Sequence, residues 1–252
     1  MNFKQSTIEE IIKSECQMLL VAPERYGEFY TNAIDVNQLL QHSIIGVDQN
    51  NHVFAMFASQ ARNYHLLAIF SFVRLHQVQG KMNLRQVLEA GAFAAYYIHN
   101  KDISNFTDQN GNILKVPKSK SDRMYKWLKK DQPNFSQNIY NMKKKINEYN
   151  AHSNILGASN HFQVKENEFG TTFFDNEDDY FVKIDLWSVA DAGLRIIEGL
   201  HKINNGKKNL TFANDFEENL CILDKKHQKL KNEVTQTERY KKAMLLTPKT
   251  NL

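Results

Sequence analysis

Between His52 and His99 apolar residues follow one another so closely that they cover most of the circumference of any helix drawn through them. Such a helix belongs in the middle of a bundle, packed on several sides. The pattern predicts two helices, His52 to Val78 and Met82 to His99, with Gly80 as the break between them, forming a central hairpin. Arg62, Arg74, Arg85 and Glu89 interrupt the run, so it offers no stretch of about 20 uncharged apolar residues to span a bilayer. The N-terminal stretch is charged at helical intervals (Glu9, Glu10, Lys13, Glu15) and lacks the apolar segment of a secretory signal.

The fold class that follows is mainly α, a multi-helix bundle. Its 10 Gly and 4 Pro are too few to punctuate many short strands. Ser6 to Val21 reads as an amphipathic helix with Ile8, Ile11, Ile12, Cys16, Leu19 and Leu20 as its stripe, ended by Pro23. Glu24 to Ala33 is the second helix, and Asp35 caps a third that runs through Ile45. Ser121 to Asn150 is Lys-rich and helical, interrupted near Asp131-Gln132-Pro133, with Ser136 as the restart. Residues 161–185 change character. Phe162, Val164, Phe169, Phe173, Tyr180, Phe181, Val182 and Ile184, with Gly170 and the acidic run Asp175 to Asp179 as turns, predict a short β-hairpin insertion. Leu186 to Ile203 returns to helix, and Phe212 to Tyr240 is a final charged one. The expected organisation is a single helical domain over residues 1–245, with core helices about 52–99 and 136–204, and a flexible tail at 246–252.

Several chemistries are excluded by missing signatures. There is no Gly-rich phosphate loop, no nucleophile elbow and no His-Glu-x-x-His zinc helix. The histidines do not cluster at ligand spacing, and Asp175 to Asp179 lacks the ordered alternation of a calcium loop, so neither metal nor cofactor is expected. Cys16 and Cys221 lie far apart and match no zinc or redox motif; reduced thiols in a cytoplasmic protein are the expectation. Apolar helix faces are compatible with a homodimer. The formal net charge of +4 permits weak attraction to nucleic acid without diagnosing it.

What remains is a set of polar residues in apolar surroundings. Seven arginines stand against twenty-five lysines, yet Arg62, Arg74 and Arg85 all fall in the most apolar region, which suggests a need for a planar, multi-donor cation. Arg85 and Glu89 are one turn apart and share a helix face. A carboxylate there needs a cation, so Glu89 is expected to be buried against Arg85 or another cation, and Glu89→Ala would then cost about 3–5 kcal/mol. Arg62, His65, Ile69 and His76 form another stripe, with His65 as a core histidine or a ligand-binding one. The densest polar cluster is Asn147 to Asn154, in which Tyr149, Asn150 and His152 supply donors and acceptors at a helix end. It serves as a cap and turn network, or as a site where His152 points toward Arg85 and Glu89. Lys129-Lys130, Lys143-Lys144-Lys145 and Lys207-Lys208 stand near Trp127, Tyr140 and Tyr149, an interleaving that suits either a solvated face or phosphate contacts with base stacking.

The run Asn83-Leu84-Arg85-Gln86-Val87-Leu88-Glu89-Ala90, followed later by Tyr149-Asn150-Ala151-His152-Ser153, resembles a bacterial family of uncharacterised helical proteins distantly similar to HEPN domains. The resemblance spans roughly Gln60 to Lys202 and rests on short motifs. HEPN ribonucleases place an Arg shortly before their His; here Lys145 or Asn147 stands in that place. The resemblance implies an RNA-processing or defence-related protein, with His152 as acid/base and Arg85 holding phosphate. Two other readings stay open: a non-enzymatic binding or scaffold bundle, and an enzyme acting on a small anionic ligand in a central pocket lined by Arg62, Arg85, Glu89 and His152.

Overall fold

The computed structural model describes residues 6–48, 51–107, 118–150, 162–165, 168–175, 178–205 and 209–246. Among them are nine α-helices, a 3-10 turn at Ile103–Phe106 and two small antiparallel sheets, so the mainly α class with a short β-hairpin holds. The helix α1 (Ile8–Tyr26) opens on a reciprocal cap. Thr7 Oγ1 accepts from the Glu10 amide at 3.2 Å, and the Glu10 carboxylate accepts from the Thr7 amide at 2.8 Å. Pro23 does not end this helix but lies inside its last turn. Its missing donor costs one bond, and burial of Ala22 and Tyr26 on either side keeps the turn helical. Gly27, at φ +55°, makes the actual stop. Of the apolar stripe read on α1, Leu19 packs inward while Ile8, Ile12 and Leu20 face solvent. The helix α2 (Glu28–His42) runs unbroken through Asp35, which pairs with Lys226 at 2.9 Å instead of capping.

The central hairpin is α3 (His52–Val73) and α4 (Gln77–His99), and its break is Arg74-Leu75-His76 rather than Gly80. Leu75 takes φ +58°, a left-handed conformation unfavourable for a bulky residue. Burial of its side chain and two bonds from a distant segment offset that cost: the Asp175 amide donates to Leu75 O at 2.9 Å, and the Asp175 carboxylate accepts from the Gln77 amide at 2.5 Å. Gly80 has a packing role instead. A Cβ there would lie 2.6 Å from the Phe72 ring, so its bare backbone lets α3 and α4 approach.

Around the hairpin lie α5 (Lys118–Asp131), α6 (Pro133–Asn150) and α7 (Asp179–Asn204). The break at Gln132 falls as expected, but Pro133 rather than Ser136 opens α6; proline suits a first helical position. The β-hairpin is shorter than predicted. It comprises β2 (Phe162–Lys165) and β3 (Glu168–Thr171), paired from Phe162↔Thr171 to Lys165↔Glu168. Tyr180, Phe181, Val182 and Ile184 belong to α7, because Asp178 caps the Tyr180 and Phe181 amides and Val182, Leu186, Val189, Ala190 and Gly193 continue as one buried stripe. Burial of that helical face overrides the strand preference of the individual residues.

A second sheet has no counterpart in the sequence reading. β1 (Ile44–Val47) pairs antiparallel with β4 (Leu210–Phe212), so Ile45 is a strand residue and not a helix end. The final charged segment divides into α8 (Phe216–Thr235) and α9 (Glu238–Leu246).

Candidate functional site

Arg85 and Glu89 project from α4 toward α6, whose Phe135, Ile139 and Ile146 are buried in the core and fix the helix in place. This packing adds two residues to the pair. Lys143 Nζ lies 2.8 Å from Glu89 Oε1, the same oxygen that accepts from Arg85 Nε at 3.1 Å. Arg85 Nη1 donates to Asn147 Oδ1 at 2.8 Å, and Lys143 donates to the Tyr125 hydroxyl of α5 at 2.9 Å while standing over its ring. Burial opposes the charge on Glu89, but Lys143 and Arg85 together hold its carboxyl below the ordinary range. Burial likewise opposes the Lys143 charge, and Tyr125 with Glu89 hold its ammonium above the usual value. One carboxylate thus pins two cations side by side.

Glu89 is half-buried, not sealed: its side chain is 25% exposed. It sits at the edge of α4, beside the core face carried by Val87, Leu88 and Ala92. Glu89→Ala is therefore expected to cost about 2 kcal/mol, between an exposed and a fully buried pair. Urea denaturation checks this. A midpoint equal to the parent's would show that the two cations stand together without the carboxylate.

The other residues singled out by sequence do not join this cluster. Arg62 is half-buried on α3 and donates to Asn63 Oδ1 of its own helix. His65 is fully buried, with Nδ1 3.2 Å from Asn37 Nδ2 and Nε2 3.0 Å from the Val189 carbonyl. His76 precedes α4 and contacts Glu15 at 2.7 Å, beside Arg74. Tyr149 and Asn150 close α6, but their side chains, and all of His152, lie outside the described residues.

Two polar constellations escaped the sequence reading. Asp185, almost fully buried on α7, pairs with Lys81 of α4; burial pushes its carboxyl up against the pull of Lys81. Further along α7, Arg195 gathers Asp191, Glu198 and Asp224 at 3.1–3.3 Å. The fully buried His227 of α8 faces Asp191 at 3.3 Å and stacks on Trp187 with centroids 4.5 Å apart. Arg195, Glu198 and Asp224 border a cleft of about 300 Å³ between α7 and α8 that includes His201, Glu217 and Cys221. Only the one-turn spacings, Asp191 to Arg195 and Arg195 to Glu198, were legible along the chain. Asp224 and His227 arrive from another helix.

Charge is distributed unevenly. The α5–α6 hairpin carries nine of the basic residues (Lys118, Lys120, Arg123, Lys126, Lys129, Lys130 and Lys143 to Lys145) against Asp122, Asp131 and Glu148. Since the whole chain is only +4, the remainder is net negative, and the positive field is concentrated on this hairpin. Among the described residues no helix is long and apolar enough to cross a membrane, and no three His, Cys, Asp or Glu side chains are arranged to hold a metal ion. Compared with known proteins, the chain matches no family model, no curated protein and no solved structure.

Proposed function

We propose that this chain acts on RNA as a HEPN-like helical protein, with Arg85 and Lys143 as the groups that hold phosphate. The observation that carries the reading is the convergence of these two cations on one Glu89 oxygen, next to Asn147 near the end of α6. That end leads directly into the Tyr149 to Ser153 run. Glu89 neutralises one of the two charges and leaves the cluster with a net positive charge, oriented rather than free to wander. Arg85 is 31% exposed, so its guanidinium can be reached by a ligand. Its planar donors suit a phosphodiester. In this reading the 2′-hydroxyl attacks phosphorus as its proton passes to the His152 imidazole. The bond from phosphorus to the 5′-oxygen breaks to leave a 2′,3′-cyclic phosphate, and the imidazolium returns the proton to that leaving oxygen, while Arg85 and Lys143 stabilise the charge on the phosphoryl oxygens.

The test is cleavage of a labelled single-stranded RNA by the purified chain. His152→Ala is expected to lower the rate by about 100-fold or more while the thermal melt stays at the parent value. Arg85→Ala is expected to lower it similarly. A parent that leaves RNA intact, or a His152→Ala variant that cleaves at the parent rate, removes the enzymatic reading. Unimpaired RNA binding in such a non-cleaving parent would favour the binding bundle, in which Arg85, Glu89 and Lys143 serve only to tie α4 to α6.

A further inference from the structure

We infer that the outer face of the α5–α6 hairpin is a track for single-stranded RNA, with Tyr140 as its stacking platform. This rests on the RNA-acting reading above and names the form of substrate. Three observations converge on it. The first is charge: Arg123, Lys126, Lys129 and Lys130 of α5 all face solvent, as Met124 and Leu128 turn into the core. The second is the character of α6, whose exposed face carries amides (Gln137, Asn138, Asn141) beside Lys145. Amides can donate to and accept from base edges as well as donate to phosphate, whereas a lysine can only donate.

The third observation is the aromatic ring itself. Tyr125 is covered by the Lys143 ammonium, and Trp127 is stacked on His99 with centroids 4.4 Å apart. Phe135 is buried. Tyr140, 62% exposed, is the aromatic on the hairpin that stands open to solvent among its described side chains. A lone exposed tyrosine means little, but one set among cations and amides has the composition of a single-strand platform. In a duplex the bases are already stacked on one another, so this ring would find no face to cover.

The track also has a destination. Asn147 lies seven residues after Tyr140, two helical turns and about 10 Å along the same side of α6. Asn147 bonds Arg85. A strand stacked on Tyr140 and following α6 is therefore led to the Arg85–Lys143 cluster, with the basic face of α5 alongside.

Fluorescence anisotropy on the full chain tests this, using a short labelled single-stranded RNA and the same RNA in a duplex. The single strand is expected to bind at least about 10-fold more tightly than the duplex. Tyr140→Ala is expected to weaken single-strand binding by about 10-fold and leave duplex binding unchanged, whereas Tyr140→Phe keeps the ring and stays within about twofold of the parent. K129E/K130E is expected to weaken both and to flatten the salt dependence. Equal affinity for single strand and duplex, or a Tyr140→Ala variant that binds as the parent does, overturns the track; if that protein still cleaves RNA, the RNA-acting reading survives its loss. A parent that binds neither form overturns both.

Discussion

Lowering the pH from 7 to 5 is expected to remove about 2 kcal/mol of folding stability, and about 3 kcal/mol by pH 4, through the single side chain His65. The imidazole is wholly buried between α2, α3 and α7. Its Nε2 faces the Val189 carbonyl and so carries the proton; its Nδ1 then accepts from the Asn37 amide, which also donates to the Arg62 carbonyl at 2.9 Å. Both ring nitrogens are satisfied in the neutral form. A second proton, on Nδ1, would face the Asn37 amide N–H and find no acceptor there. Burial therefore lowers the pKa from 6.5 to about 4, although the Val189 bond pulls the other way.

A depressed folded-state pKa stabilises the protein above the unfolded value. That contribution is intact above pH 6.5 and is lost as the pH falls toward 4. The carboxylates held low by cations, Glu89, Asp191 and Glu198, act in a more acid window, below the ordinary carboxylate values. Urea midpoints at pH 7 and pH 5 measure the effect, and His65→Gln supplies the comparison, since glutamine does not titrate. The variant should start less stable and show a flatter pH profile between 6.5 and 5. An equally steep profile without the imidazole would show that the proton is taken up elsewhere.

Gly193→Ala is expected to destabilise by about 2 kcal/mol at neutral pH, against its local preference. Inside an exposed helix the same change would gain about 1 kcal/mol from helix propensity. Here a Cβ would meet Val36 Cγ1 at 2.6 Å and His65 Nε2 at 2.7 Å. Neither atom can retreat easily. The valine is branched and fixed at χ1 within α2, and the imidazole is pinned by Asn37 and Val189. Overpacking of this kind costs about 1–3 kcal/mol or more and outweighs the propensity gain. Chemical denaturation of Gly193→Ala, of Val36→Ala and of the double variant forms a cycle. The double variant should lose less than the two singles together, because Val36→Ala opens space for the methyl group. Strict additivity would show that Val36 is not the atom group the methyl meets, and a Gly193→Ala as stable as the parent would mean that α2 and α7 separate at no cost.

The Arg85–Glu89 pair was legible because both partners lie on one helix, one turn apart, where spacing alone dictates proximity. Lys143 and Asn147 were visible as residues, but nothing in their spacing tied them to α4. That tie depends on how Phe135, Ile139 and Ile146 seat α6 in the core. Arg62 and His65 illustrate the opposite failure. They share an apolar helix and looked like one stripe, yet three residues leave a net separation of about 60° around the axis, and the long guanidinium arm reaches the helix edge while the imidazole is sealed inside.

Local sequence by itself determined the mainly α class and the central hairpin, through apolar patterning and scarce Gly and Pro, and the break at Gln132, through Pro133, since each depends on residues within a few turns of one another. Tertiary contacts decided what local preference left balanced or misled. Pro23 stays helical because its neighbours are buried. The α3–α4 turn falls at Leu75, where Asp175 holds an unfavourable backbone, while Gly80 is needed for close packing. Ile44 to Val47 becomes a strand because Leu210 to Phe212 lies beside it. In each case the deciding free energy comes from a partner distant in the chain, and local sequence carries no record of which partner that is.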